Sequence, residues 1–338
     1  MKTSTSVRLA LLAATLCPTP AAAPLPQAFP RGDLFLSSPN LTTGATTHGI
    51  VQIDPVTGDT TRLVTVARVP SNLDSLAYDP HRDALVLVAK ETLSDPWTLF
   101  AVGAQGGLSN LGLTGLELFC LAPTGDGRIY ARRRSAPSTS VWYVDAAGLL
   151  QRLMDQSGTQ SFQWSSTVGV DYRQMHYHPP TRSLLAVTRE SVGRISCSGT
   201  VTDGVVVRRV TLSADGTRAV GPVLCSEFMA SPSSEIPVGL SAMDDGDLLL
   251  VLDTNTNQEE PRMVRLDPQT LAMTPFATSG YPGAAATTAG TWSSRLGEAV
   301  VLDAFNGALR AYAQGESGGG TTIPTPSLSS RQPVRCYR

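Results

Sequence analysis

Four short apolar segments separated by turns fill the stretch 73–113, LDSLAYDPHRDALVLVAKETLSDPWTLFAVGAQGGLSNLGL, and this unit constrains what the whole chain can form. The segments LDSLAY and ALVLVA flank the turn DPHRD, a longer polar loop leads to TLFAV, and the turn QGG leads to LSNLGL. Short apolar runs bounded by turn residues are typical of β-strands. Four such strands in series predict an up-and-down antiparallel sheet.

The same order of strands and turns recurs along the chain. The segment RQMHYHPPTRSLLAVT (173–188) aligns without a gap on DSLAYDPHRDALVLVA (74–89), so that Pro179 falls on Pro80. Further units begin at ELFCLA, VGLSAM and AAATTAG, and an incomplete first unit begins at DLFLS. A tandem four-stranded unit of about forty residues is the signature of a propeller blade. The sequence therefore predicts an all-β fold, a β-propeller of six blades with four antiparallel strands each, with seven blades as the alternative.

The two ends of the repeat are incomplete. The first unit lacks a leading strand and the last lacks a trailing one. After the glycine run 318–320, the segment 321–337 is a candidate to cross to another blade and close the ring, which would remove exposed sheet edges. The resulting domain boundaries are 31–313 for the propeller and 314–338 for a Gly/Ser/Pro-rich tail.

The N-terminus has the features of an export signal. Lys2 and Arg8 supply positive charge, an apolar run follows over 9–16, and alanines at 21–23 offer a cleavage site. Residues 1–23 are therefore predicted to be a signal peptide, followed by a Pro-rich approach at 24–30. A bacterial extracellular or periplasmic location follows, and a surface lipoprotein is less favoured.

Charge and hydropathy exclude some partner classes. The formal net charge is −2 and charged residues are sparse, which does not indicate a nucleic-acid partner. The N-terminal apolar run is too short to span a bilayer as a helix. We expect a monomer without a transmembrane segment.

Four cysteines remain once the signal, which contains Cys17, is removed, and an even number is typical of an oxidising compartment. In an antiparallel blade, the loop between strands two and three lies at the same end as the exit of strand four. Cys197 and Cys225 occupy these two places within one unit, which favours a Cys197–Cys225 disulfide. A Cys120–Cys336 pair is a second, weaker hypothesis.

Loop length predicts which face of the disc carries a site. The turns between strands one and two, and between three and four, are short, whereas the connections between strands two and three and between blades are long. We call the corresponding faces the short-turn face and the long-loop face. Binding residues concentrate on elaborated loops over a rigid scaffold. The long-loop face is therefore predicted to recognise a protein, glycan or small-molecule ligand.

Charged residues at the entrances of the innermost strands are the candidate binding residues near the mouth of the long-loop face. They are Asp74, Glu117, Asp171, Arg173 and Glu235. Asp74, Glu117 and Asp171 are also the candidate metal ligands, because converging carboxylate oxygens suit Ca²⁺. The alternative is that these carboxylates are solvated or cap turns.

Three other motifs favour structural interpretations. The loop 253–259, DTNTNQE, resembles the start of a calcium loop, but Gln258 stands where such a loop needs glycine. His176 and His178 form an H-x-H pair on a strand, a spacing that metal sites use, although a polar repeat position is the simpler interpretation. The aromatic residues Phe162, Trp164 and Trp97 lie in long loops, where packing beneath the loop is favoured over stacking on a ligand.

The turns in GIVQIDPVTGDT and MVRLDPQTLAM resemble those of secreted bacterial β-propellers of the YncE-like, NHL-like and SMP-30/gluconolactonase-like kind, over about residues 31–313. The last of these implies a central metal held by Glu, Asn and Asp, and no Asn matches among the inner positions here. Propellers host binders and enzymes alike. The first hypothesis is a secreted binding or interaction module without a certain cofactor, and the alternative is a Ca²⁺-dependent lactonase-like or esterase-like hydrolase.

Overall fold

The computed structural model describes residues 29–30, 32–38, 48–67, 76–114, 117–133, 140–164, 171–190, 197, 204–228, 235–254, 262–278, 287–303 and 308–325. These residues form six antiparallel sheets, each built from strands that follow one another in the chain. Five sheets have four strands and the first has three. The predicted all-β, six-bladed propeller is confirmed, and we number its sheets blades 1 to 6.

Short strands and tight turns build blades 1 to 3. Blade 1 contains β1 (Leu34–Ser38), β2 (His48–Ile53) and β3 (Thr60–Val66); blade 2 contains β4 (Leu76–Asp79), β5 (Ala84–Ala89), β6 (Thr98–Val102) and β7 (Ser109–Thr114); blade 3 contains β8 (Leu118–Pro123), β9 (Ile129–Arg133), β10 (Trp142–Val144) and β11 (Leu150–Arg152).

Longer strands build blades 4 to 6. Blade 4 contains β12 (Asp171–His178), β13 (Ser183–Glu190), β14 (Gly204–Leu212) and β15 (Ala219–Phe228); blade 5 contains β16 (Glu235–Ala242), β17 (Leu248–Thr254), β18 (Arg262–Leu266) and β19 (Met273–Thr278); blade 6 contains β20 (Thr287–Ser293), β21 (Glu298–Asp303), β22 (Ala308–Tyr312) and β23 (Thr321–Ile323). One 3₁₀ turn, Pro179–Thr181, follows β12. In the part of the chain that the structure describes, no helix has the length and apolar character needed to cross a membrane.

The internal alignment found in the sequence corresponds to one shared strand register. Tyr78 lies opposite Leu85 in the β4–β5 pair, and Tyr177 lies opposite Leu184 in the β12–β13 pair. The turns that connect these pairs contain Pro80 and Pro179, as the alignment places them. The first two strands of blades 2 and 4 therefore share one register around their connecting turn.

Six apolar clusters hold the ring together, one between each pair of neighbouring blades. The second strands β5 and β17 contribute to two clusters each, because their side chains alternate between the two faces of the sheet. This explains why these strands are apolar at nearly every position. The last cluster joins blade 6 to blade 1 through Leu36, Val51, Val300 and Leu309, so the ring is closed.

An ion-pair group supports the closure on the short-turn face. The guanidinium of Arg295, in the turn between β20 and β21, lies 3.1 Å from the Asp33 carboxylate and 2.9 Å from the Asp54 carboxylate of blade 1. The Asp33 side chain is almost fully buried, so the pair is partly shielded from solvent. Blade 6 and blade 1 are thus joined by polar contacts as well as by the apolar cluster.

Part of the tail belongs to the ring. Thr321–Ile323 forms β23, which pairs with β22 as the outermost strand of blade 6. Residues 326–338 lie outside the described part of the chain, so ring closure by the tail segment 321–337 stays a prediction. Ile323 is buried between blades 6 and 1. Burial of this one side chain in the closing cluster explains why β23 is held here.

The predicted disulfide between Cys197 and Cys225 is confirmed, with their Cα atoms 5.5 Å apart. Cys225 lies in the outermost strand β15, and Cys197 lies in the connection between β13 and β14. The bond therefore ties a long connection to the edge of blade 4. Cys120 is buried in β8, whereas Cys336 lies outside the described residues, so their pairing stays a hypothesis.

Candidate functional site

A cavity of about 420 Å³ lies on the axis of the ring, at its short-turn end. Its walls are the final residues of the innermost strands β4, β8, β12, β16 and β20, together with the turns that follow them. These five strands neighbour one another around the axis because each comes first in its blade. Five of the six blades therefore contribute to one concave site.

Most of the cavity wall is apolar. Leu121, Met175, Leu240 and Met243 line it, and small residues near the strand ends leave its space open. Ala242, at the end of β16, is exposed and lies at the mouth. Ligand cavities of this size are typically apolar with a few polar groups that orient the ligand.

Two hydroxyl groups in the wall have no hydrogen-bond partner among the described residues. They belong to Thr291 in β20, which is 1 % exposed, and to Ser294 in the turn after β20. The amide nitrogen of the buried Gln174, on β12, is in the same condition. These three atoms have almost no accessible surface, so they lie beneath the surface of the cavity and are not polar contacts that it offers to a ligand.

Trp292 connects blades 5 and 6 at the cavity. Its backbone N–H donates to the Ser241 hydroxyl at 2.8 Å, and its indole Nε1–H donates to the Asp244 carboxylate at 3.1 Å. Its ring packs edge-on against Phe276, with centroids 6.0 Å apart. The indole is therefore held in one orientation at the edge of the cavity.

The electrostatics of the cavity disfavour charge. Desolvation, together with the neighbouring His178, lowers the pKa of His176 to about 4, so the imidazole is neutral at pH 7. Burial raises the pKa of the Tyr177 phenol, with Asp126 adding to the effect. In the described lining, Asp244 is the single carboxylate, and no lysine or arginine is present.

The lowered histidine pKa predicts acid sensitivity of the fold. The native state keeps His176 neutral to about pH 4, whereas the unfolded chain takes up a proton near pH 6.5. Stability is therefore fully present above about pH 6.5 and is lost as the pH falls toward 4. Because the His176 side chain is partly exposed, we expect the free energy of unfolding to fall by about 2 kcal/mol, less than the full pKa shift of His176 implies.

Chemical denaturation between pH 7 and pH 4 measures this loss. His176→Gln should reduce the slope over that interval, and a residual slope is expected because burial also lowers the His178 pKa. Aspartates with lowered pKa values, such as Asp215 at about 2, change the pH dependence of stability mainly below this interval. An unchanged slope in His176→Gln would contradict the prediction.

Four of the five residues predicted for the long-loop face lie at the opposite end of the inner strands. Asp171 and Arg173 are in the first part of β12, Glu235 begins β16, and the partly exposed Glu117 directly precedes β8. Asp74 lies outside the described residues. The backbone thus places four of the five at the entrances of innermost strands, and their role in binding stays a prediction.

The sequence motifs that could bind a metal do not form a metal site in the described part of the chain. Within the described ranges, no group of three or more His, Cys, Asp or Glu side chains is placed to hold a metal ion. The loop 253–259 is described only for Asp253 and Thr254, which end β17. His176 and His178 lie in different surroundings. His176 lines the cavity, whereas His178 is buried and its Nδ1 lies 2.8 Å from the Thr181 hydroxyl. The Ca²⁺ prediction for Asp74, Glu117 and Asp171 is untested.

The loop aromatics pack into the ring. Phe162 and Trp164 are buried in the cluster between blades 3 and 4, with their rings in edge contact at 5.2 Å. Trp97 packs against the cluster between blades 2 and 3, and the Lys90 ammonium lies 5.4 Å from its ring centre. The structural interpretation of all three is confirmed.

Sequence reasoning missed the cavity, because it assigned the short-turn face no role. One signal was available: Ala77, Ala122 and Ala242 place small side chains near the ends of three inner strands. Small residues at equivalent ends of strands that surround an axis leave the axis open. The unpaired hydroxyls could not be identified without coordinates.

Comparisons with known proteins support the fold. No protein-family model and no curated protein matches the chain. Solved structures do match: TolB from Acinetobacter baumannii (13 % identity, 91 % of this chain and 67 % of that one, TM-score 0.59), a chain of a nidogen/laminin complex (12 %, 90 % and 97 %, 0.55), and the periplasmic gluconolactonase PpgL of Pseudomonas aeruginosa (12 %, 86 % and 80 %, 0.52). At these identities the likeness is one of fold. The chain is thus a six-bladed β-propeller that resembles NHL/YncE-like and lactonase-type propellers.

Proposed function

We propose that this chain is a β-propeller binding module that takes a small molecule into its axial cavity from the short-turn face. The observation that carries the proposal is the cavity of about 420 Å³ with a mostly apolar wall. Its volume is within the range of about 300–1,000 Å³ that is common for small-molecule sites. The prediction of a site on the long-loop face stands beside this proposal and concerns the other end of the same strands.

We further propose that the protein works outside the cytoplasm. The Cys197–Cys225 disulfide is compatible with an extracellular or periplasmic location, where such bonds persist. The predicted export signal at 1–23 supports the same conclusion. Two of the structural neighbours are described as TolB and as a periplasmic gluconolactonase, which is consistent with this proposal.

A cavity-filling variant tests the proposed function. Ala242 is exposed at the mouth, so Ala242→Phe should occupy the entrance without disturbing the core. Ala146→Phe, at an exposed turn position of blade 3, is the matched control. Small molecules detected by ligand-observed NMR with the wild-type protein should bind Ala146→Phe and lose binding to Ala242→Phe. Equal binding to both variants would overturn the proposal.

The calcium hypothesis needs its own test, because it concerns the long-loop end. The axial cavity by itself predicts the same Tm in calcium and in chelator, because no group of metal ligands is found among the described residues. A ligand that binds only the native state must raise its stability. A Tm rise in calcium that disappears in Glu117→Gln would instead support the metal-dependent hydrolase.

A further inference from the structure

Three side chains stand in a row on one face of blade 3. Arg152 lies directly opposite Trp142 in the β10–β11 pair, and Ala131 lies opposite Trp142 in the β9–β10 pair. Side chains two residues apart on a strand project to the same face, so Arg133 is on the same face as Ala131. Three neighbouring strands thus contribute one member each to the row Arg133, Trp142 and Arg152.

Both guanidinium groups of the row lie against the Trp142 indole. The Cζ atom of Arg152 is 4.9 Å from the ring centre, and the Cζ atom of Arg133 is 5.3 Å from it. Both distances are within the limit of about 6 Å for cation–π contacts. The two positive charges are therefore no farther apart than the sum of these two distances. Trp142 itself is 9 % exposed, so it positions the arginines and offers little surface to a ligand.

The charges of this pair are not neutralised within the part of the chain that the structure describes. Arg128 and Arg295 form ion pairs with aspartates. Arg133 and Arg152 have no ion pair among the described residues, and the Arg152 side chain makes one long contact of 3.5 Å to the Ser161 hydroxyl. Two like charges beside one ring repel each other. An anion that contacts both would therefore be bound favourably.

Both guanidinium groups can be reached from solvent. Arg152 is exposed at the end of β11, and Arg133 is half-buried at the end of β9. Of the side-chain nitrogens of Arg133, only Nε is enclosed without a partner, so the two terminal nitrogens remain available to a ligand. The connection after β9 and the exit of β11 belong to the long-loop face. The arginine pair is therefore at the opposite end of the ring from the axial cavity.

The charge of the pair selects among anions. A guanidinium donates through a planar fork that fits the oxygens of phosphate and carboxylate groups. A phosphate monoester carries a charge of about −1.5 to −2 at pH 7. A carboxylate or a sulfate ester carries only a single negative charge. Two guanidinium groups therefore match a phosphate monoester best.

We infer that Arg133 and Arg152 form a binding site for the phosphate monoester group of a small-molecule ligand, with Trp142 holding both guanidinium groups in place. The inference goes beyond the proposed function, because it concerns a second site at the other end of the ring. Phenyl phosphate and phenyl sulfate are matched probes for it, since they share a ring and a tetrahedral oxyanion and differ in charge. Benzyl alcohol is the neutral probe for the apolar axial cavity.

Affinities of the three probes should be measured at pH 7 and constant ionic strength by saturation-transfer NMR on the full-length protein. Phenyl phosphate should bind about fivefold more tightly than phenyl sulfate, the upper end of what one surface charge pair contributes. Arg133→Gln and Arg152→Gln should each weaken phenyl phosphate at least about fivefold, because hydrogen bonds to the phosphate are lost together with the charge. Arg218→Gln is the matched control, since Arg218 is exposed and its charge lies beside Asp215. It should leave phenyl phosphate binding unchanged.

Arginines that serve only the fold would give a different result. Phenyl phosphate binding that is unchanged in both Arg133→Gln and Arg152→Gln would overturn the inference, and so would phenyl sulfate binding as tightly as phenyl phosphate. Arg152→Lys keeps the charge at an exposed position and should bind phenyl phosphate more tightly than Arg152→Gln, so the test does not depend on the folding of Arg133→Gln.

The two sites fail separately. Phenyl phosphate binding should persist in Ala242→Phe, whereas benzyl alcohol binding should be lost in Ala242→Phe and persist in Arg152→Gln. Phenyl phosphate binding that is lost in Ala242→Phe would overturn the arginine site and support the axial cavity. Benzyl alcohol binding that is unchanged in Ala242→Phe would overturn the proposed function and leave the arginine site standing.

Discussion

Replacing Gly239 by alanine is expected to lower the free energy of unfolding by about 3 kcal/mol or more, the upper end of the cost of overpacking. A Cβ at this position would lie 2.0 Å from the carbonyl oxygen of Gly290, and Gly290 itself has no room for a Cβ beside Val251. The two glycines belong to β16 and β20, the innermost strands of blades 5 and 6. Because the added Cβ would clash with a backbone atom and not with a flexible side chain, the clash can be relieved only if blades 5 and 6 move apart.

Gly103→Ala is the matched control. A Cβ there would meet no atom within 4 Å, and like Gly239 this glycine does not adopt a left-handed backbone conformation. Its effect should stay within about 0.5 kcal/mol. Denaturant unfolding of both variants provides the comparison, and equal stability would contradict the packing described for blades 5 and 6.

The same glycine contact shapes the site. Gly239 directly precedes Leu240, and Gly290 directly precedes Thr291, and both following residues line the cavity. The close approach of the two strands therefore fixes the distance between an apolar and a polar part of the wall. A variant that separates the blades should also weaken probe binding, even at temperatures where it remains folded.

Loss of the Cys197–Cys225 disulfide is expected to cost about 3.5 kcal/mol of stability, the value that chain entropy assigns to a loop of this length. The two cysteines are 28 residues apart in sequence, and the loop includes the long connection between β13 and β14. Without the bond, this connection is no longer tied to the edge strand β15. The Cys197→Ser/Cys225→Ser variant should therefore unfold at a lower Tm than the oxidised wild type.

Reductant supplies the control for this experiment. The reduced wild-type protein should unfold at the Tm of the double variant, and the double variant itself should be insensitive to reductant. An oxidised wild type with the same Tm as the double variant would show that the bond contributes nothing measurable to the fold.

Most of the fold could be predicted because blades are local. Each strand pairs with the next one in the chain, so turns such as DPHRD and HPPTR, together with the apolar runs around them, contain the register of Tyr78 with Leu85 and of Tyr177 with Leu184. The disulfide followed from the same local geometry. The tail could not be predicted in this way: TTI at 321–323 is short, follows a glycine run, and is held by Ile323 in a cluster with blade 1.

The site was less accessible to sequence reasoning for a physical reason. Loop length is a local property, and it directed attention to the long-loop face. The axial cavity depends on how five inner strands are placed around one axis, which no single unit encodes. Met175 and Leu240 are ordinary apolar residues in the sequence, and only their position around the axis makes them part of the cavity wall.

A crystal structure of the full-length protein soaked with benzyl alcohol tests the location of the site most directly. We predict density for the ligand in the axial cavity, with its ring against Met175 and Trp292. Density at the long-loop end, beside Glu117 and the entrances of β8 and β12, with an empty axial cavity, would contradict the proposed site and support the long-loop face instead.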